Sequence, residues 1–125
     1  MSKAQTPYEK GVAAEARAAA QLRLAGYKIL KTRYKTRYGE IDVIALSGDM
    51  LVFVEVKARE TLDDSLYAIT PRNRRRVEQA ALYFLAEHPD YADYAMRFDV
   101  MAFSKNGKAG GMWAEHLDNA WQLGS

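Results

Sequence analysis

The chain has no cysteine, so neither a disulfide framework nor a thiolate metal site is available to it. No apolar run approaches the ~20 residues that a membrane-spanning helix needs. The opening MSKAQTPYEKG lacks the apolar centre of a signal peptide. No internal repeat or low-complexity tract interrupts the 125 residues, and the two histidines, His88 and His116, lack metal-ligand spacing. Membrane, secreted disulfide-rich and fibrous classes are thereby set aside, and a single cytoplasmic domain over residues 1–125 is the expectation.

What is present is an ordinary globular composition, 49% hydrophobic and 27% charged, with an uneven charge distribution. Residues 1–40 hold nine Lys or Arg against three Glu, whereas the remainder is net acidic. The basic excess concentrates in KTRYKTRY, Lys31 to Tyr38, and a second cluster, PRNRRR, runs from Pro71 to Arg76. Two basic patches flanking an acidic segment suit a phosphate-backbone binder, although a solvated charged face gives the same pattern.

Thr6-Pro7-Tyr8-Glu9 reads as a capping box with proline at the first helical position. The helix should run to about Ala25, ahead of Gly26. Tyr27 to Leu30 predicts a short strand, and residues 40–46 a second. Ser47-Gly48-Asp49 is a turn, and Met50 to Ala58 returns as the third strand. Residues 59–69 lack periodicity and read as a loop. Val77, Ala80, Ala81, Phe84 and Leu85 form one apolar stripe of a helix from Thr70-Pro71 to about Glu87. A strand over Met96 to Ala102, a turn at Asn106-Gly107, a strand over Met112 to Leu117 and a terminal helical turn complete an αβββαββ order. That order implies an α/β sandwich around a mixed sheet.

The stretch GEIDVIALSGDMLVFVEVKAR places charges inside two apolar strands rather than at their ends. Burying them is costly unless they are paired or bound to a metal. By strand alternation Glu55 and Lys57 share a face with Phe53, their Cα atoms ~7 Å apart. Asp42 can face the same spot if the hairpin register allows it. Two carboxylates and a carbonyl make an all-oxygen site for Mg²⁺ or Mn²⁺, with Lys57 beside it to hold a water and stabilise developing phosphate charge. A solvent-exposed cross-strand ion pair is the plainer alternative, worth ~0.5 kcal/mol. Glu15, within GVAAEARAAA, is a further candidate among small residues that permit close packing.

These residues together resemble the PD-(D/E)xK nuclease superfamily, and more closely the YraN family of small bacterial proteins, which are similar to archaeal Holliday junction resolvases. The resemblance rests on Gly11-x-x-x-Glu15, Gly39-Glu40-Ile41-Asp42, Val52 to Arg59, Arg97-Phe98-Asp99-Val100 and His116 to Ala120. The proline that precedes the aspartate in the superfamily is replaced here by Ile41. The resemblance implies a restriction-endonuclease-like three-layer sandwich with a central mixed sheet. It also implies Asp42 and Glu55 as metal ligands, Lys57 as the catalytic lysine, and Glu15 as a helical acid approaching the same metal. Homodimers are common among resolvase-like relatives.

The leading expectation is therefore a Mg²⁺- or Mn²⁺-dependent DNA endonuclease, with branched or Holliday-junction-like DNA as a candidate substrate. In that case Lys31, Arg33, Lys35, Arg37, Arg59, Arg72, Arg74, Arg75 and Arg76 would neutralise phosphates, and binding would weaken steeply with salt. Two alternatives stand beside it: a non-catalytic nucleic-acid-binding module, and a subunit that acts through a DNA-processing protein partner. Arg97 and Asp99 read as an ion-paired supporting position, Arg59 as a phosphate contact or the partner of Glu60 or Asp63, and His88 and His116 as capping or surface residues. Tyr34 and Tyr38 could stack on bases or pack beneath the loop, and Trp113 and Trp121 read as packing residues or dimer contacts.

Overall fold

A computed structural model describes residues 6–104 and 113–124. Helix α1 spans Pro7–Leu24, and its start is fixed by the expected capping box: Thr6 Oγ1 accepts from Glu9 N–H while the Glu9 carboxylate accepts from Thr6 N–H. Strands β1 (Lys28–Lys35), β2 (Glu40–Ser47) and β3 (Met50–Arg59) follow. Gly48, first of the two residues between the β2–β3 partners Ser47 and Met50, has φ 62°, a conformation glycine takes without steric cost. After α2 (Leu62–Tyr67) and α3 (Pro71–Glu87), a single 3-10 turn at Pro89–Tyr91 leads into β4 (Ala95–Ser104). β5 (Glu115–Trp121) is the last element.

The five strands lie in sequence order across one sheet. The β1–β2, β2–β3 and β4–β5 pairs are antiparallel, while β3 and β4 run parallel, joined by the α2–α3 crossover. Strand alternation then builds two cores. Ile44, Leu51, Phe53, Phe98 and Val100 face α3 through Val77, Ala81 and Phe84. Val43, Val52, Val54, Val56 and Met101 face α1 through Ala14, Ala18 and Leu22. The small residues of α1 bring that helix close to the sheet. The result is the three-layer sandwich with a central mixed sheet, a restriction-endonuclease-like fold. No helix among the described residues is long and apolar enough to cross a membrane.

Four local expectations need correction. The segment read as a loop contains α2, capped by Thr61 Oγ1, which accepts from Asp64 N–H. Six residues are too few to display a helical period, but Ser65 is buried and donates to the Phe103 carbonyl at 3.0 Å, fastening α2 to β4. The first strand extends through the basic run to Lys35 rather than ending at Leu30. The element order accordingly gains a helix. The last strand begins at Glu115 and continues to Trp121, in place of a terminal helical turn. The Asn106-Gly107 turn and the expected strand start at Met112 lie outside the described residues.

Trp121 is buried and stacks on Phe98, with ring centroids 5.1 Å apart, while Trp113 is exposed. Trp121 Nε1 donates to buried Glu78 at 3.1 Å, and the same carboxylate accepts from Gly124 N–H at 3.0 Å. Replacing Glu78 with alanine strands the indole N–H, at a cost of roughly 1–2 kcal/mol. Thermal denaturation should register a drop of ~4–8 °C, and an unchanged Tm would remove Glu78 as the anchor of this end of the chain.

Candidate active site

β2 and β3 pair in register from Ser47↔Met50 back to Val43↔Val54, and there the ladder ends. One residue further, the Asp42 carboxylate takes the place of a backbone acceptor: Val56 N–H donates to Asp42 Oδ2 at 2.7 Å. Continuing that register sets Asp42 across from Glu55, which is 8% exposed. The two carboxylates lie within hydrogen-bonding reach of each other. Burial first, then the hydrogen bond and charge of Glu55, push the Asp42 carboxyl up to about 8, while Lys57 and the Val56 N–H pull the other way. An acid raised so far by burial and a neighbouring carboxylate marks a site with surplus negative charge.

The register that the sequence could not fix thus sets Asp42 across from Glu55. Asp42, Glu55 and Lys57 all line one cleft of about 470 Å³ at the end of the sheet. Its walls come from α1, through Pro7, Lys10, Gly11 and Glu15, and from α3, through Asn73, Arg76 and Val77. Gly39 seats the start of β2 directly on the Arg76 carbonyl of α3, with no room for a side chain between them.

Glu15 also reaches the site. Burial, then the neighbouring Asp42 charge, raise its carboxyl above the ordinary value despite Arg33. It lies within hydrogen-bonding reach of Asp42 and is at the same time paired with that arginine, whose Nη1 donates to Glu15 Oε2 at 3.1 Å. Arg33 Nη2 donates to the Tyr8 hydroxyl at 3.2 Å, and the guanidinium lies over the Tyr8 ring. Arg33 sits opposite Asp42 in the β1–β2 register and has φ 53°, a left-handed conformation that a non-glycine residue adopts only at a free-energy cost. A second, smaller cleft of about 230 Å³ adjoins here, lined by Tyr8, Glu15, Arg33, Lys35 and Asp42 among others. Among the described residues no three acidic or histidine side chains close on a common point as they stand. Asp42 and Glu55 form a pair of hard oxygen donors not engaged by an arginine, and the excess charge they carry fits a divalent cation.

The basic residues divide. Lys31, Lys35, Arg37, Arg72, Arg75 and Arg76 are exposed, and Arg76 borders the acidic cleft. Arg59 is exposed at the same cleft, its guanidinium donating to the Ala58 carbonyl at 2.8 Å. Two members are not free surface cations. Arg33 is committed to Glu15 and Tyr8, and Arg74 is partly buried with its Nε enclosed, lining a separate apolar hollow with Leu66 and Trp121. Tyr34 packs edge-on against Phe84 with its hydroxyl on Glu87, whereas exposed Tyr38 lies beneath Arg37 and beside Tyr83.

A second polar cluster was only half visible in the sequence. Arg97 and Asp99 pair bidentately at 2.8 Å, as their shared strand face suggested. His116, expected to be a capping or surface residue, instead places Nε2 2.7 Å from Asp99 Oδ2, and Asn119 N–H donates to Asp99 Oδ1 at 2.9 Å. Burial opposes ionisation of Asp99, but the His116, Arg97 and Asn119 hydrogen bonds outweigh it and hold the carboxyl below its usual range. Every acceptor position of Asp99 is occupied, so this cluster locks β5 to β4. His88 does cap: its Nδ1 lies 2.9 Å from the Phe84 carbonyl oxygen at the end of α3.

Three layers, a mixed sheet and a carboxylate–lysine cleft where two strands part define an α/β protein of the restriction-endonuclease-like class. Within that class the chain belongs to UPF0102: the model described as "Uncharacterised protein family UPF0102" matches residues 14–103. A UPF0102 protein of Bradyrhizobium diazoefficiens is 50% identical over 94 residues, 75% of this chain and 71% of the relative. One from Azorhizobium caulinodans is 43% identical over 119 residues, covering 95% and 87% of the two chains. The matched family segment contains Glu15, Asp42, Glu55 and Lys57.

Proposed function

We propose that this protein is a divalent-metal-dependent endonuclease that hydrolyses phosphodiester bonds in DNA, branched DNA included. The observation that carries the reading is the Asp42–Glu55 pair, buried, within hydrogen-bonding reach and beside Lys57 in an open cleft. Asp42 and Glu55 would hold Mg²⁺ or Mn²⁺, with Glu15 approaching from α1. The ion supplies Lewis-acid polarisation of a phosphate oxygen and a lowered pKa for its water. Lys57 is placed to orient the attacking water and to stabilise charge on the phosphate. Arg59 and Arg76 at the cleft, with Lys31 and Lys35 along β1, supply sequence-independent contacts to the flanking backbone. Such a substrate places the protein in the cytoplasm, and a two-strand cut would call for two copies.

One observation favours a second reading, a nuclease-fold binding module or a subunit completed by a DNA-processing partner: Glu15, although beside Asp42, is already neutralised by Arg33. A single assay separates the two. Labelled four-way junction, flap, single-stranded and linear duplex DNA are incubated with Mg²⁺, Mn²⁺ or chelator, using wild type, Glu55→Ala and Lys57→Ala. Metal-dependent cutting that both substitutions abolish is the expected result. If all three proteins bind every substrate and leave it intact, the chemistry is absent and the binding-module reading takes its place.

A further inference from the structure

Arg33 departs from its surroundings in three ways. It is the one arginine of β1, and its guanidinium is held by the side chains of Glu15 and Tyr8. Its backbone is left-handed within a strand. It also stands across from Asp42, at the boundary of the two clefts that Glu15 and Asp42 share. A phosphate-seeking cation has been drawn inward, through an unfavourable backbone geometry, onto an acid of the metal site.

Resting on the nuclease reading, we infer that Arg33 is a positioning residue that makes metal uptake conditional on substrate. In the free protein its guanidinium neutralises Glu15 beside Asp42, so that of these three acids Asp42 and Glu55 are the two not engaged by an arginine. A backbone phosphate entering the smaller cleft, where Lys35 also lies, is a better partner for the planar guanidinium than a single carboxylate oxygen. Arg33 moves to that phosphate, and Glu15, already beside Asp42, is freed of its counter-charge. The metal site then gains its third carboxylate only when DNA is in place. The protein is thereby kept from assembling a hydrolytic centre in the absence of a phosphodiester.

The test measures affinity. Mn²⁺ alone is titrated into wild type, Arg33→Ala, Arg33→Lys, Glu15→Gln and the Arg33→Ala/Glu15→Gln double variant, with bound ion read by electron paramagnetic resonance. Arg33→Ala should bind Mn²⁺ about tenfold more tightly than wild type, within the range ordinary for coupled sites. Arg33→Lys should stay near wild type, and the gain should vanish when Glu15 is also changed. In a second arm, anisotropy of a labelled duplex follows DNA affinity with Ca²⁺ and with chelator at fixed ionic strength. Because coupling is reciprocal, the factor by which Ca²⁺ tightens DNA binding should shrink in Arg33→Ala by the factor gained for metal alone. Arg33→Gly, suited to φ 53°, substitutes if the alanine variant does not fold. Unchanged or weaker Mn²⁺ binding in Arg33→Ala, with wild-type uptake intact and lost in Glu55→Gln, overturns the gating role and leaves the nuclease reading standing. Absence of uptake by every variant at millimolar Mn²⁺ overturns that reading and the inference together.

Discussion

Asp42→Asn should make the metal-free protein more stable at pH 8.5 while removing metal-dependent cleavage. The carboxyl is raised from 3.8 to about 8, chiefly by burial and then by Glu55. Between those values the folded chain keeps a proton that the unfolded chain has released, so the folded state binds more protons. Stability therefore falls as pH rises from about 4 to about 8, and the loss is complete above the folded value. Asparagine reproduces the protonated acid: its carbonyl oxygen can still accept from Val56 N–H, and its NH₂ can donate to Glu55. The gain at pH 8.5 should be about 2 kcal/mol, or ~8 °C in Tm, shrinking toward zero near pH 4. It is set well below the full shift because the cleft is open to water, which eases the ionised acid.

On the nuclease reading the same substitution takes one negative oxygen donor from the cation, and cleavage should fall by ~100-fold or more. On the nuclease reading wild type should in turn be stabilised by Mn²⁺ more at pH 8.5 than at pH 5, since the ion competes with the Asp42 proton. Thermal scans of both proteins at these two pH values, with metal and with chelator, are sufficient. A variant less stable than wild type at pH 8.5 would contradict the raised Asp42 acid.

Gly39→Ala should disrupt the molecule at a single methyl group. A Cβ at this position would lie 1.9 Å from the Arg76 carbonyl oxygen, 2.7 Å from its carbon and 3.0 Å from its Cα. All three are backbone atoms of α3, so no side-chain rotamer can relieve the clash. Either α3 retreats from the sheet or the first residues of β2 swing out, and both movements open the cleft. The turn offers little slack, because Thr36 N–H donates to the Gly39 carbonyl at 2.8 Å and Gly39 N–H donates to Thr36 Oγ1 at 3.0 Å. Overpacking of flexible side chains costs 1–3 kcal/mol, and this case should reach about 3 kcal/mol or beyond. Urea denaturation should show a correspondingly lower midpoint, and the surviving fold should lose metal affinity as Asp42 moves from Glu55. A loss under ~0.5 kcal/mol would mean that β2 and α3 are not in the contact described.

The parts of this site that were legible in the sequence are those written locally. Asp42, Glu55 and Lys57 sit on one hairpin, where strand alternation and a two-residue turn leave few arrangements. α1 and α3 announced themselves through capping residues and apolar stripes. Arg33 read as another member of a basic run, because nothing in KTRYKTRY reveals a left-handed residue or a partner 18 positions earlier. His116 was missed for the same reason, since its acid lies 17 residues back, across a register irregularity between β4 and β5. Helix α2 escaped because its stability comes from buried Ser65 and from Leu62 and Leu66 packed on the sheet. Local pattern found the donors, and only tertiary contact showed which of them are engaged.

β1 forms one border of the sheet, with no strand beyond it among the described residues, and Lys28, Lys31 and Lys35 along it are all exposed. An unpaired strand border is a template onto which another chain can add, and charged lysines deter that addition. These side chains therefore guard solubility whatever they contribute to phosphate binding. Removing them together would uncover a self-associating border, so a variant designed to weaken DNA affinity would also aggregate. Charge-reversal to glutamate separates the two roles, since it repels phosphate while still keeping neighbouring chains apart.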